Sequence, residues 1–291
     1  SGTYSQIGGG YSHTASGYGS HVGGGDSNSS SGFLSHVGGG QSNTASGSSS
    51  HVGGGQSNTA SGHYSHVGGG ASNSASGVYG MVPGGYRNDA AGNNSFAAGC
   101  RASTQSAAAT PVPYHGSFAW GDTRSDGDCV SEPIFRPTAS QQFAVRARGG
   151  VRFVTAVDGS GNATGGIALA AGGSTWSSLS DRNAKTDFTP VDAQAVLAKV
   201  VALPMSTWRY KTEVSKAMHM GPMAQDFHAA FALGDSDKTI TTVDADGVAL
   251  AAIQGLNLKL QNELNERDRI IKAQDARIAQ LESKISALST K

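Results

Sequence analysis

The chain has 291 residues, a formal net charge of zero and 42 glycines. No basic block is present that would track a phosphate backbone, so nucleic acid is excluded as an expected partner. No apolar run approaches the roughly 20 residues that span a bilayer, so no membrane insertion is expected. The opening Ser-Gly is not followed by the charged and apolar regions of a signal peptide, and further segments are expected upstream of it.

The first third repeats every 15 residues. Ser20-His21-Val22-Gly23-Gly24-Gly25 returns as Ser35-His36-Val37, Ser50-His51-Val52 and Ser65-His66-Val67, each with its own Gly triplet. Degenerate copies stand at Gln6-Ile7-Gly8 and Met81-Val82-Pro83, and the second half of the unit reads Ser-Asn-Thr-Ala-Ser-Gly at 42–47 and 57–62. A short fixed period indicates a solenoid with one supersecondary unit per repeat. The unit is too short and too Gly-rich for a helix pair, whereas two short strands and two tight turns fit it. Ile7, Val22, Val37, Val52, Val67 and Val82 are expected to form one inner ladder. Ala15, Ala45, Ala60, Ala75 and Ala90 are expected to form a second. So few small inner side chains bury little apolar area, and a homotrimer covering one flank of each coil is the expected remedy.

His21, His36, His51 and His66 would stand about 4.8 Å apart on stacked strands, a spacing that raises the question of a metal. Each adjoins an inward Val, so alternation points it outward, and a solvated surface row is the preferred reading. No metal and no cofactor are expected. The Gly triplets lack the Gly-Lys-Ser/Thr of a phosphate loop. These repeats resemble the left-handed parallel β-roll head of trimeric YadA-like adhesins, which implies an architecture rather than a binding partner.

From about Gly99 to Trp176 the repeat dissolves. Phe118-Ala119-Trp120, Gln142 to Arg148, Val151 to Ala156 and Ile167 to Ala170 read as short strands. Gly149-Gly150 reads as a hairpin turn between Phe143/Val145 and Val151/Phe153. This is expected to be a β-rich neck. Cys100 and Cys129 fit no zinc pattern; two small buried thiols are expected, with a single disulfide as the alternative. The sequon at Asn162-Ala163-Thr164 is read as chance.

At the next junction stand Ser180 and Lys185. A serine is a poor nucleophile unless a base takes its proton, and lysine serves as that base when burial disfavours its charged form. The pair alone carries little weight. Leu179-Ser-Asp-Arg-Asn-Ala-Lys-Thr-Asp-Phe188, however, resembles the opening of the C-terminal intramolecular chaperone domain of endosialidases and phage tail fibres. The likeness continues through a helix over Val191 to Val201 and a strand around Leu203-Pro204-Met205 with Trp208-Arg209-Tyr210. It then takes in His219-Met220-Gly221-Pro222-Met223-Ala224-Gln225-Asp226-Phe227, and Val243 to Val248 leading into the last helix. The resemblance implies a single-turnover self-cleaving endopeptidase that does not act on external substrates. In it Ser180 is the nucleophile, Lys185 its activating partner, and the bond between Leu179 and Ser180 is cut. Asp181 matches an acidic neighbour and His219 a common histidine; both are possible supporting residues. Family members often carry Arg where this chain has Asn183, with Arg182 one place earlier.

From Leu250 the pattern is heptad. Leu264, Ile271, Ile278 and Ile285 share one position and Leu260, Leu281 and Leu288 its partner, with Arg267 and Gln274 interrupting, which argues a coiled coil. The expected fold is therefore mixed and multidomain. Residues 1–98 form a left-handed parallel β-roll and 99–178 a β-rich neck. Residues 179–291 form an α+β chaperone domain ending in a coiled-coil helix over 250–289, all within a homotrimer. The expected function is a phage or prophage tail fibre or tailspike that matures by removing its own chaperone. It would be made in the bacterial cytoplasm and carried on the virion or released outside, and would face a host cell-surface receptor or glycan. The alternative is a bacterial trimeric surface adhesin head. No paired carboxylates occur in residues 1–97, so sugar hydrolysis is not expected of the roll.

Overall fold

The computed structural model describes residues 2–124 and 126–289, except for the side chains of 287–289. The chain forms two compact units, residues 1–155 with 166–177, and residues 156–165 with 178–291.

The first unit is a parallel β-solenoid of about six turns. Two-residue strands alternate between two sheets. One sheet takes β1 (Gln6–Ile7), β3 (His21–Val22), β5 (His36–Val37), β7 (His51–Val52), β9 (His66–Val67) and β11 (Met81–Val82). The other takes β2 (Thr14–Ala15), β4 (Ser29–Ser30), β6 (Thr44–Ala45), β8 (Thr59–Ala60), β10 (Ser74–Ala75) and β12 (Asp89–Ala90). Every coil pairs with the next in a register shifted by one repeat, as in Val37↔Val52 and Ala45↔Ala60. Val22, Val37, Val52, Val67 and Val82 are fully buried, and so are Ala45, Ala60, Ala75 and Ala90. Ile7, in the first coil, is 45% exposed. Ser30 replaces alanine in the second ladder, and its buried hydroxyl lies 2.7 Å from that of Ser35.

A third inner ladder is polar. Asn28, Asn43, Asn58, Asn73 and Asn88 are buried. Each satisfies the turns around it: Asn43 Nδ2 donates to the carbonyls of Gly39 and Gly55 at 2.9 and 2.8 Å, and Asn43 Oδ1 accepts from Asn58 N at 2.9 Å. Burial of so many amides is tolerable only because they are paired in this way. Gly40, at φ +87°, shows why the triplet ends in glycine: a Cβ there would strike the carbonyl of Gly55.

The first sheet does not stop with the repeat. β13 (Phe96–Gly99), β14 (Phe118–Gly121) and β15 (Phe143–Arg146) extend it in parallel, with Phe96, Phe118 and Phe143 in register. The loop between β14 and β15 is stapled down. Cys100 and Cys129 form a disulfide, which corrects the expectation of two thiols; Cys100, the residue after β13, and Cys129 in the loop sit with Cα atoms 5.7 Å apart. Glu132, buried, receives a bidentate pair from Arg148 at 3.0 and 2.8 Å, and Arg146 bridges Asp122 at 2.9 Å.

The expected hairpin at Gly149-Gly150 does not form. A turn closes there, Gly150 N donating to Ala147 O at 2.9 Å, but β15 keeps β14 as its neighbour. The chain leaves instead for a separate sheet of β16 (Val151–Val157), β17 (Ala163–Leu169) and β18 (Trp176–Ser178). Parallel pairing with a ready coil wins over the local turn.

The second unit contains α1 (Ala193–Ala202), the antiparallel pair β19 (Ser206–Trp208) and β20 (His219–Gly221), α2 (Ala224–Phe231) and α3 (Thr242–Ser289). Asp192 caps α1, accepting from Gln194 N and Ala195 N at 3.0 and 3.1 Å. Gly255 lets α3 lie against the start of α1, because a Cβ there would meet the carbonyl of Ala193. Phe227, Val248 and Ala252 are the buried apolar side chains of this unit among the described residues. The heptad residues expected to form a coiled coil fall on α3 and are uncovered in the single chain. Leu260, Leu264, Ile271, Ile278, Leu281 and Ile285 are each about half or more exposed, and the side chain of Leu288 lies outside the described residues. No helix among the described residues is long and apolar enough to cross a membrane.

Candidate active site at the chain junction

Leu179 follows β18 directly and is 43% exposed. A single 3-10 turn, Arg182–Ala184, comes next. Asp181 caps it: its Oδ1 accepts from Asn183 N at 2.9 Å and from Asn183 Nδ2 at 3.1 Å. Lys185 closes the turn with its backbone N–H on Arg182 O. The turn folds the chain back far enough for residues five apart to meet. Lys185 Nζ donates to Ser180 Oγ at 2.7 Å. Both side chains are exposed in the single chain. Arg182 lies over the ring of Phe188, 5.6 Å from its centroid, which gives this arginine a packing partner within the same loop.

The two supporting candidates separate. Asp181 spends its carboxylate on the cap. His219, on β20, stacks on Trp208 at 4.8 Å, and its Nε2 sits 2.9 Å from Glu213 Oε2. The His219 contact, with a further hydrogen bond from Ser215, holds the Glu213 carboxyl below the usual carboxylate range. Among the described residues no hydrogen bond joins Asp181 or His219 to Ser180 or Lys185. Glu213 is the functional-looking residue that sequence reasoning passed over. Its only signal was a carboxylate in the turn linking two strands whose facing residues are Trp208 and His219.

The repeated histidines also differ from expectation. They do point away from the buried valines, but they are half-buried rather than solvated. Their rings stack: His21 on His36 and His36 on His51 at 4.8 Å, His51 on His66 at 4.9 Å. Their Nδ1 atoms are covered and have no hydrogen-bond partner. Burial, then the neighbouring imidazoles, push the pKa of His36 and His51 below the ordinary 6.5. Among the described residues no group of three or more His, Cys, Asp or Glu side chains is arranged to hold a metal.

Residues 180–233 match the family described as chaperone of endosialidase. No curated protein matches the chain.

Proposed function

We propose, from the match of residues 180–233 to the chaperone-of-endosialidase family, that the C-terminal region gathers three copies of the chain and then severs itself from them between Leu179 and Ser180. The observation that carries this reading is the 2.7 Å contact of Lys185 Nζ with Ser180 Oγ, at the first residue of the matched segment. Ser180 Oγ attacks the Leu179 carbonyl carbon while neutral Lys185 takes the hydroxyl proton. The carbon–nitrogen bond breaks as that proton passes to the Ser180 amine. Water then hydrolyses the resulting ester, leaving a Leu179 carboxylate and a restored Ser180 hydroxyl. The reaction turns over once per chain.

A lysine works as a base only when its charged form is disfavoured, and withdrawal from water does that. Ser180 and Lys185 are open to solvent in one chain. Cover from neighbouring copies is what assembly would add, so the cut waits for the trimer. The exposed heptad stripe of α3 supports the same order of events. A coiled coil forms fast and raises the local concentration of the rolls, whose non-local parallel pairing is slow. Removing the nucleating helix afterwards leaves a body that persists through its unfolding barrier. We place such a body in a phage or prophage tail fibre or tailspike, made in the bacterial cytoplasm and carried on the virion.

The test is a denaturing gel of freshly expressed chain with N-terminal sequencing of the smaller piece. Two bands meeting at residue 180 are expected from the native sequence and one full-length band from Ser180→Ala. A Ser180→Ala chain that still loses its C-terminal piece overturns the proposal.

A further inference from the structure

The loop between β14 and β15 forms one wall of a cavity in the first unit. Its volume is about 580 Å3, within the range of small-molecule sites. Tyr114, the stretch 133–138 and the arginines Arg146 and Arg148 line it. Pro133, Ile134, Phe135 and Pro137 make that stretch mostly apolar. The lining holds three arginines, Arg136 among them, and no carboxylate.

Two of the three guanidinium groups are already engaged. Arg146 Nε donates to Asp122 Oδ1 at 2.9 Å and its Nη1 to Pro133 O at 2.8 Å. Arg148 holds Glu132 through both Nη atoms at 3.0 and 2.8 Å. Asp122 and Glu132 thus balance two of the positive charges and leave one. Arg136 is half-buried, its Nε is covered, and it makes no hydrogen bond or ion pair among the described residues. Asp89, the acid whose charge reaches it, lies two strand steps away across Ser103, and its carboxylate accepts from Ser103 Oγ and Gln105 Nε2 instead. Burial holds that carboxyl above its usual range. The Tyr114 hydroxyl also lacks a partner among the described residues, and Thr138 Oγ1 donates only a long hydrogen bond, 3.3 Å, to Gln142 Oε1.

A guanidinium presents a planar fork of five N–H donors, and a half-buried one without acceptors carries a desolvation cost that a ligand oxygen relieves. A carboxylate matches the fork with two parallel bonds, and its single negative charge equals the surplus around the cavity. The Tyr114 and Thr138 hydroxyls call for a body with hydroxyls of its own, and the prolines and Ile134 offer a dry surface to its carbon face. We infer that this cavity binds a sugar acid, with Arg136 on the carboxylate and Tyr114 and Thr138 on the ring hydroxyls. The site lies in the unit that self-cleavage would leave behind, and it does not depend on whether the chain is cut at residue 180.

Ligand-observed saturation-transfer NMR on the full chain tests it, with glucuronate, glucose and N-acetylaspartate as probes. Glucuronate is expected to bind with a Kd on the order of 1 mM, and glucose, with an alcohol in place of the acid, about tenfold more weakly or worse. Arg136→Met should weaken glucuronate binding by about tenfold or more and Tyr114→Phe severalfold, with the melting temperature as the check on folding. Arg136→Lys keeps the charge and loses the fork; it should also weaken binding, and it replaces Arg136→Met should that variant fail to fold. Equal binding of glucose and glucuronate, or glucuronate binding unchanged in every folded variant, overturns the inference. So does the absence of binding to the assembled chain, which is the result if a neighbouring copy fills the cavity. N-acetylaspartate binding as tightly as glucuronate overturns the assignment to a sugar acid.

Discussion

The imidazole of His36 lies face to face with that of His51, centroids 4.8 Å apart and planes 3° from parallel. A row of this kind is stable while its members are neutral. Charging one ring costs its neighbours, and the covered nitrogens leave a new N–H without an acceptor.

Acid should therefore loosen the roll. The folded pKa of His36 and His51 lies below the ordinary 6.5, so between the two values the unfolded chain binds more protons. The stabilisation is complete above about 6.5 and is lost as pH falls through the folded values. The melting temperature of the roll should drop between about pH 7.5 and about pH 5, and His36→Phe with His51→Phe should flatten that drop. An unchanged pH profile in the double variant would assign the acid sensitivity elsewhere.

The buried amide ladder predicts a steep local cost. Asn58→Ala strands the carbonyls of Gly54 and Gly70 and the N–H of Asn73, each now paired at 2.8 to 3.0 Å. The loss should be on the order of 3 kcal/mol in denaturant unfolding of the full chain. Gln56→Ala, at the exposed corner two residues away, should stay within about 0.5 kcal/mol.

The disulfide closes a loop with a sequence separation of 29. Cys100→Ser with Cys129→Ser should cost about 3 kcal/mol by freeing that loop in the unfolded state. The loop keeps its Glu132–Arg148 pair, so calorimetry should show a lowered transition rather than a lost one.

Cutting should depend on gathering. Ile271→Asp places a carboxylate in the exposed heptad stripe of α3 and leaves the 180–185 turn untouched. Light scattering should then report monomer, and the rate of cleavage at residue 180 should fall by about tenfold or more. A monomeric variant cut at the native speed would separate the two events.

The valine and alanine ladders were legible because a strict period fixes which residues must face inward once the coil closes. The Asn ladder recurs with the same period, yet polarity argues for the surface unless the turn carbonyls it serves are known. Alternation told which way His21 through His66 point, yet not that neighbouring rings would shield one another; direction is local and stacking is not. The failed hairpin at Gly149-Gly150 has the same origin. Turn chemistry was visible in the residues, whereas the competing partner β14 lies in a coil set by distant sequence. At the junction, Ser180 and Lys185 stood out through a motif of ordered neighbours. Glu213 did not, because its role depends on the pairing of β19 with β20.

Each coil hands the next an almost identical set of contacts: Val37 meets Val52 as Val52 meets Val67. Excising or duplicating one such 15-residue module would shorten or lengthen the shaft by about 4.8 Å and create no new kind of junction. The reach of the molecule is thus adjustable in fixed increments by recombination between its own near-copies, without redesign of either end.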